Sequence, residues 1–329
     1  NAMAHVIIAE GLENKEFIKT RTESYEELKE FLKDITPEKA SEFTGIPAED
    51  IRQAARLYAK SEKSAIYYTL GITEHTCGTD NVRTIANLAL LTGHIGKPST
   101  GVNPIRGQNN VQGATDVCIP NKMPGYQDIS DNAVMEKFEK AWGVKLSRTP
   151  GATAPTMFER MNKNQFKALY VIGEDPVISE PNQDYTLKGM KNLEFLVVQD
   201  IFMSETAKYA DVILPAASFA EKDGTFTNTE RRVQRVRKAI NPIGNSKPDW
   251  QITCELSNRM GYRMDYPSPK EVYDEIASLA PVFAGINYAR IEHNGIQWPC
   301  PDTKHPGTKF LHEGKFPRGL GKFFVLPYR

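Results

Sequence analysis

Short apolar runs alternate with helical stretches between residues 168 and 215, and this pattern constrains the fold most strongly. The runs at Ala168–Ile172, Phe195–Val198 and Val212–Pro215 each have the length of a strand. Strands that are apolar throughout and separated by helices are typical of a parallel sheet covered on both faces. The pattern therefore predicts an α/β fold.

Polar residues come directly after each of these predicted strands. Gly173-Glu174-Asp175 follows the first strand, Gln199-Asp200 the second and Ala216-Ala217-Ser218 the third. Ligands of open α/β sheets bind outside the carboxyl ends of the strands, so we expect a ligand at these turns. The alternative is an ordinary turn, since Gly and Asp-Pro are common turn formers and neither GxGxxG nor GxxxxGK[ST] occurs in the chain.

The first 95 residues are predicted to be mainly helical. Thr36-Pro37-Glu38 combines a capping hydroxyl, a proline at the first helical position and an acid in the first turn. Asn1-Ala2 precedes Met3 and is interpreted as a cloning remnant outside the fold. The predicted elements are helices over Glu26–Lys33, from Pro37 and from Ala48, a strand over Ser64–Leu70, and a helix over about Asn81–Leu91 that Thr79 and Asp80 would cap.

Residues 96–126 are dense in Gly and Pro, with many Asn and Gln between them. This composition predicts a long irregular segment, and such segments inside compact domains often carry function. Arg106 lies within it, and a guanidinium is suited to binding a small carboxylate or a phosphate. Gly107 would let a ligand approach the backbone closely. The ordinary alternative, an arginine in a surface loop, is the more frequent one.

Charge balance and cysteine spacing exclude several classes of protein. Lys plus Arg total 41 and Asp plus Glu total 41, so no net field attracts nucleic acid or an anionic membrane. The apolar runs are much shorter than a membrane span. The four cysteines are too far apart for a zinc or iron–sulfur motif and indicate reduced thiols in a cytoplasmic protein.

Two further features more often have structural roles. His75 and Cys77 could be two metal ligands, but no third ligand lies near them in the sequence. The basic run Arg231–Lys238 could contact phosphates, although such runs are usually a solvated face.

Several linked motifs resemble the molybdopterin oxidoreductase superfamily, and the resemblance extends over His5–Arg329. Arg106-Gly107-Gln108-Asn109-Asn110 resembles its formate dehydrogenase catalytic subunits in particular. The resemblance implies Rossmann-like parallel sheets with flanking helices, of the kind found in the first three domains of formate dehydrogenase and DMSO reductase, present here in part. The other motifs are Gly71–Thr76, Gly78–Asn81, Ala86–Gly93, Gly96–Pro98, Gly101–Pro104, Val111–Gly113, Gly173–Pro176, Gln199-Asp200, Glu205-Thr206, Ala210–Pro215, Gly224-Thr225 and Asn228–Gln234.

The resemblance implies oxidation of formate to carbon dioxide, or the reverse, at a molybdenum or tungsten ion held by two pyranopterin guanine dinucleotides. Arg106 would hold the formate carboxylate, and Gln108 would contact the cofactor or line the same site. Leu70 and Glu74 would face the pterin, and no residue of this chain would be a metal ligand. The positions that match nucleotide contacts are Gly173, Glu174, Asp175, Ser179, Gln199, Asp200 and Thr206.

Parts of the family pattern have no counterpart in this sequence. These are a cysteine-rich segment for a 4Fe–4S cluster, a Cys or selenocysteine ligand followed by a His, and a final domain that covers the nucleotides. We therefore expect a middle fragment that alone binds no cofactor and does not oxidise formate. Residues 1–108 would end one αβα domain, 109–226 would form a second αβα domain at the nucleotide, and 227–329 would be an extended wrapping segment with short helices.

The partners implied by the resemblance are formate and the electron-transfer subunits of a formate dehydrogenase complex, in the cytoplasm and without nucleic acid or membrane. One alternative is another molybdopterin oxidoreductase, for example one that acts on nitrate. A second alternative is a scaffold relative without cofactor. The Arg-Gly-Gln segment favours formate, because a scaffold has no need of an arginine that binds a carboxylate.

Overall fold

The computed structural model describes residues 1–328. The α-helices are α1 (Ala2–Ala9), α2 (Lys15–Arg21), α3 (Tyr25–Leu32), α4 (Pro37–Thr44), α5 (Ala48–Lys60), α6 (Leu70–Thr73), α7 (Gly78–Thr92), α8 (Val111–Val117), α9 (Asn132–Trp142), α10 (Ala154–Asn162), α11 (Pro176–Ser179), α12 (Gln183–Lys191), α13 (Asp249–Arg259) and α14 (Pro269–Leu279). The strands are β1 (Thr22–Glu23), β2 (Ala65–Tyr68), β3 (Gly101–Pro104), β4 (Lys122–Met123), β5 (Gln127–Asp128), β6 (Ala168–Ile172), β7 (Phe195–Asp200), β8 (Val212–Pro215), β9 (Gly224–Thr227), β10 (Arg232–Val236), β11 (Ile296–Gln297) and β12 (Gly321–Lys322). Short 3-10 helices occur at Thr206–Tyr209, Phe219–Glu221 and Pro281–Phe283.

The chain divides into two compact units. Residues 1–107 form the first unit together with the segment from Thr308 onward, and residues 108–307 form the second unit. The chain therefore passes from one unit to the other within the Arg-Gly-Gln segment and again at Gly307. The three-part division at residues 108 and 226 stays a prediction.

The first unit is mainly helical, and its core lies between α1, α3, α5 and α7. Ile7, Leu28 and Leu91 are fully or almost fully buried there, together with Ala55. The predicted start of α4 is confirmed, because Thr36 Oγ1 accepts a hydrogen bond from the Lys39 amide and Pro37 is the first helical residue. Local capping chemistry thus sets the helix boundaries, and apolar burial holds the helices together.

Two predictions about the first unit were wrong. Helix α7 begins at Gly78, so Thr79 and Asp80 lie in its first turn instead of capping it. At the start of α7 the Gly78 backbone lies against the Thr73 carbonyl. Only glycine fits there, since a Cβ on residue 78 would lie 1.9 Å from that oxygen. The exclusion of Asn1-Ala2 from the fold was also wrong: Ala2 begins α1, and the side-chain amide of Asn1 donates a hydrogen bond to the Leu326 carbonyl at 3.0 Å. The interpretation of these residues as a cloning remnant stays a prediction.

The first unit also contains two two-stranded parallel sheets, β1–β12 and β2–β3. Ala65 pairs with Gly101 and Tyr68 pairs with Pro104. Residues 96–126 are therefore less irregular than their composition predicts, because this segment contains both β3 and α8. The strand pairing is between residues far apart in sequence, so the local abundance of Gly and Pro does not reveal it.

The second unit contains the three-stranded parallel sheet that the apolar runs predict. Its order is β6-β7-β8, with Val171 paired with Val198 and Val198 paired with Ile213. Val198 is fully buried, and Leu196 is nearly so. The parallel arrangement brings the carboxyl ends of all three strands to one edge of the sheet.

A second core in the same unit surrounds the antiparallel sheet β11-β10-β9. Strand β10 contains most of the basic run and also Val233, whose side chain is buried. Arg235 and Arg237 form ion pairs with Glu292. Helix α14 packs on this core, at the bounds that the sequence predicts.

Within residues 1–328, no helix has both the length and the apolar character that crossing a bilayer requires.

Candidate functional site

The carboxyl edge of β6–β8 is shaped first by Gly173. Its φ of +63° lies in the left-handed region that glycine adopts readily, and its amide donates to the Gln199 carbonyl at 2.8 Å. A Cβ at this position would meet nothing within 4 Å. The turn after β6 is therefore tied to β7 while its outer side stays open.

Asp175 joins two of the three turns at this edge. Its carboxylate accepts hydrogen bonds from the Glu205 amide at 3.0 Å, the Thr206 amide at 2.9 Å and the Thr206 hydroxyl at 2.6 Å. Thr206 is fully buried, and its hydroxyl accepts in turn from the Val177 amide at 3.1 Å. These bonds hold the segment after β7 against the start of α11.

The charge of Asp175 is favoured by these donors. Burial acts to raise its pKa, but the Thr206 hydroxyl and the amides of Thr206 and Glu205 outweigh it, so the pKa of Asp175 lies below its ordinary value of 3.8. The carboxylate is thus ionised and fully engaged within the protein at neutral pH.

Glu174 and Ser179 lie on the exposed side of the same edge. The Ser179 hydroxyl donates to the Glu174 carboxylate at 2.6 Å. The other Glu174 oxygen can accept hydrogen bonds from a bound molecule. Asp200 is half-buried, and its carboxylate accepts from the Phe202 amide at 3.0 Å.

Gln199 is fully buried beneath the edge. Its amide oxygen accepts a hydrogen bond from the Tyr170 hydroxyl, and its amide nitrogen donates to Asp249 at 2.7 Å. Asp249 is also ion-paired with Lys222. Sequence reasoning missed Tyr170, Asp249 and Lys222, since nothing in the local sequence connects them with Gln199.

Large apolar side chains are exposed beside these turns. Ile172 is 51% exposed, Phe202 75% and Met203 67%. Exposed apolar side chains next to fixed polar groups are typical of a surface that contacts a ligand or another part of a protein.

A second candidate edge lies in the first unit, at the carboxyl ends of β2 and β3. The Ile105 amide donates to the Tyr68 carbonyl at 2.8 Å, which extends the strand pairing up to Arg106. Leu70 begins α6 directly after β2 and is 59% exposed, and exposed Glu74 follows the last residue of that short helix. Burial raises the pKa of Tyr68, and the positive charge of Arg106 opposes that shift.

The structure thus places the predicted site residues in two groups. Leu70, Glu74 and exposed Arg106 belong to the first unit, at the edge of β2–β3. Gln108 belongs to the second unit and is exposed. Its backbone carbonyl accepts a hydrogen bond from the Val111 amide at 3.4 Å. The seven predicted nucleotide-contacting residues lie at or beneath the edge of β6–β8. Among residues 1–328, no group of three or more His, Cys, Asp or Glu side chains is arranged to hold a metal ion.

Comparison with known proteins defines the class to which a chain with two such α/β edges belongs. Residues 1–259 match the molybdopterin oxidoreductase family, and the chain belongs to that family. The family implies a molybdopterin cofactor with a metal ion.

Within the family, the chain is similar to formate dehydrogenases. The chain is 49% identical over 334 residues to the F420-dependent formate dehydrogenase subunit alpha of Methanocaldococcus jannaschii, and 45% identical over 335 residues to formate dehydrogenase H of Escherichia coli. All of this chain is covered in both cases, whereas 49% and 47% of the relatives' own lengths are covered. The chain therefore spans about half the length of these relatives.

The fold has a solved counterpart in acetylene hydratase from Pelobacter acetylenicus, with a TM-score of 0.73 and 22% sequence identity. All of this chain and 49% of that structure are covered. This similarity confirms the predicted α/β fold class with parallel sheets and flanking helices.

Proposed function

We propose that the protein to which this chain belongs oxidises formate to carbon dioxide, or reduces carbon dioxide to formate. The observation that carries the proposal is the exposed arginine Arg106, which follows β3 at the carboxyl edge of a parallel sheet, in a chain 45–49% identical to formate dehydrogenase alpha subunits. When bound, a pterin-held molybdenum or tungsten ion supplies the two-electron redox chemistry. This chain supplies binding and orientation of the substrate.

The residues at the edge of β6–β8 fit a nucleotide. Glu174 offers an exposed carboxylate that can accept hydrogen bonds from a guanine edge, and the turn at Gly173 has space for a ligand near the backbone. Exposed Phe202 and Ile172 offer apolar surface to a base or ribose. We infer that this edge holds a guanine dinucleotide, with Glu174, Ser179 and Asp200 as contact residues and Asp175, Gln199 and Thr206 as the groups that hold the edge in shape.

The role of Arg106 follows from its chemistry. A guanidinium can bind both oxygens of a carboxylate through two parallel hydrogen bonds, which fixes the direction of the remaining C–H bond. The same positive charge stabilises negative charge on the oxygens during the reaction. Gln108 would contact the cofactor, and Leu70 and Glu74 would contact the pterin from the edge of β2–β3.

Further parts belong to the proposal as inferences from the family. Two guanine dinucleotides and a 4Fe–4S cluster would be present in the full-length enzyme, with electron-transfer subunits as partners and a cytoplasmic location. This chain alone would bind no cofactor and would be inactive.

The test is a substrate comparison with the full-length protein that contains this chain. Purified holoenzyme is assayed with formate and an artificial electron acceptor and, separately, with nitrate and a reduced dye. Metal analysis and extraction of guanine nucleotides are done on the same sample. Formate-dependent reduction with bound molybdenum or tungsten is expected. Nitrate reduction alone would assign a different substrate, and absence of both metal and nucleotide would favour a scaffold.

A further inference from the structure

Helix α8 follows the Arg-Gly-Gln segment directly, and its first turn is attached to the antiparallel sheet of the second unit. Asn110 precedes the helix with a φ of +61°, and its side-chain oxygen accepts a hydrogen bond from the Thr227 amide of β9 at 2.9 Å. A Cβ on Gly113 would lie 2.1 Å from that same oxygen. Only glycine therefore permits this close contact between α8 and β9.

The other end of α8 is held by a buried carboxylate. Asp116 is 2% exposed. One of its oxygens accepts hydrogen bonds from the Gln112 amide and the Tyr126 hydroxyl, both at 2.7 Å, and the other accepts from the Trp298 indole N–H at 2.7 Å. The Asp116 carbonyl also accepts from the Gly125 amide at 2.8 Å. The Asp116 side chain thus joins α8 to the loop that contains Tyr126 and to Trp298, which follows β11.

Arg231 supplies the opposite charge to this cluster. Its guanidinium donates to the Trp298 carbonyl and lies 5.6 Å from the centroid of the Trp298 ring. Burial lowers the pKa of Arg231, and the negative charge of Asp116 opposes that shift. Arg231 also has a φ of +65°, an unfavourable conformation for a side chain of its size. Arg231 therefore brings a positive charge and an uncommon backbone conformation to this cluster.

We propose that Asp116 is a positioning residue for the end of the Arg-Gly-Gln segment, residues Gln108–Asn110. By tying α8 to Trp298, it holds the start of that helix and the residues Gln108–Asn110 that precede it, and so restricts where the Gln108 side chain lies. The proposal rests on the proposed function, because that function gives Gln108 a contact with the cofactor. Nothing in the local sequence singles out Asp116, whose indole partner is 182 positions away.

The first test measures hydrogen exchange in this chain. The amides of Ala114 and Thr227 both donate to Asn110, to its carbonyl and its side-chain oxygen respectively, and so report whether the end of the segment stays fixed. In Asp116→Asn we expect the exchange rates of both amides to rise about tenfold, because the loss of one hydrogen bond lowers the local stability by about that factor. The exchange rates in β6–β8 should not change.

Glu139→Gln is the matched control for the exchange experiment. Glu139 is a buried carboxylate of the same unit, 8% exposed and ion-paired with Lys145 at 2.8 Å, and it makes no contact with α8 in the described hydrogen-bond network. Its substitution should leave Ala114 and Thr227 exchange unchanged. If Asp116→Asn does not fold, Trp298→Phe removes the indole donor together with part of the ring and should raise the same two rates severalfold. Unchanged rates in the folded Asp116 or Trp298 variant would overturn the proposal.

The second test uses the full-length holoenzyme. At equal content of folded protein and metal, Asp116→Asn should lower kcat/KM for formate about tenfold or more, as substitution of a supporting residue around a site commonly does, while Glu139→Gln should not. Wild-type kcat/KM in Asp116→Asn would contradict the positioning role. If the unsubstituted enzyme does not oxidise formate, the proposed function fails, and the exchange rates still decide whether Asp116 holds the segment.

Discussion

The two candidate edges differ in how their polar residues are used. At the edge of β6–β8, Asp175, Gln199 and Thr206 are tied into hydrogen bonds inside the protein, and two of them are fully buried. At the edge of β2–β3, Arg106 and Leu70 are exposed. The difference indicates that the first edge is shaped before any ligand binds, and that its residues contribute to stability. The exposed side chains of the second edge are the ones that we propose to contact a ligand.

The largest loss of stability is expected from Gln199→Leu. The substitution leaves the Tyr170 hydroxyl and one oxygen of Asp249 without their buried partner, which should lower the free energy of unfolding by about 2–4 kcal/mol. All three tryptophans, Trp142, Trp250 and Trp298, lie in the second unit, so denaturant unfolding followed by tryptophan fluorescence reports on it. Exposed Gln183→Leu is the control, and an equal loss in both variants would contradict the buried role of Gln199.

Asp175→Asn should have the next largest effect. An amide keeps the shape of the carboxylate but loses the charge-assisted bonds from the Glu205 and Thr206 amides, which should cost about 1–3 kcal/mol of stability at pH 7. The same fluorescence assay measures it. A stability equal to that of the unsubstituted chain would show that these bonds do not hold the edge.

The stability due to Asp175 should also depend on pH. Because its folded pKa lies below the ordinary value of 3.8, its contribution is fully present above that value and is lost as the pH falls through the lower folded pKa. The difference in stability between the chain and Asp175→Asn should therefore shrink below about pH 4. A difference that stays constant from pH 7 to pH 3 would exclude a perturbed carboxylate.

The stability of the first unit should also depend on pH, here because of a buried histidine. His94 is 2% exposed, and burial lowers its pKa below 6.5. The unfolded chain then binds a proton that the folded unit does not, so the stability of this unit should fall as the pH drops below 6.5. Hydrogen exchange of the α7 amides between pH 7.5 and pH 5.5, corrected for the intrinsic rate, checks this. His94→Gln should remove most of the dependence, and a pH-independent stability of α7 in the unsubstituted chain would refute it.

The smallest effects on stability are expected for the exposed contact residues. Arg106→Ala and Glu174→Gln should each change the free energy of unfolding by less than about 0.5 kcal/mol, since both side chains are exposed. Thermal unfolding followed by circular dichroism measures both variants. A loss of stability comparable to that of Asp175→Asn would show that these residues hold the fold together. The two edges would then not differ in how their residues are used.

Some of this organisation follows from sequence and some does not. The strands β6, β7 and β8 and the cap at Thr36 were predictable, because short apolar runs and helix capping leave local signatures. The predicted burial on both faces is wrong for β8, where Val212 is 38% and Ile213 37% exposed. Strand β3 and helix α8 were not predictable, since pairing with a distant strand and docking on β9 override a local composition rich in Gly and Pro. The polar network was equally hidden, because Gln199 and Asp249 are 50 positions apart.

The candidate site shows the same limit. The apolar runs selected the residues after the strands, and the family resemblance added specific roles for them and for Arg106. The structure places these residues at one edge of a parallel sheet, although Gln199-Asp200 end β7 and do not follow it. The resemblance could not separate residues that face outward, such as Glu174, from those that hold the edge, such as Thr206. That distinction depends on burial and hydrogen bonding, which only the folded chain determines.

The most direct measurement is the steady-state kcat/KM for formate of full-length holoenzyme carrying Arg106→Ala, expressed per bound metal ion. Arg318→Ala, an exposed arginine of the same unit, serves as the control. If Arg106 holds the carboxylate, kcat/KM should fall about 100-fold or more while metal content and unfolding temperature match the control. A value within about threefold of the control would be too small for the loss of a charged hydrogen-bonding partner and would contradict the role assigned to Arg106.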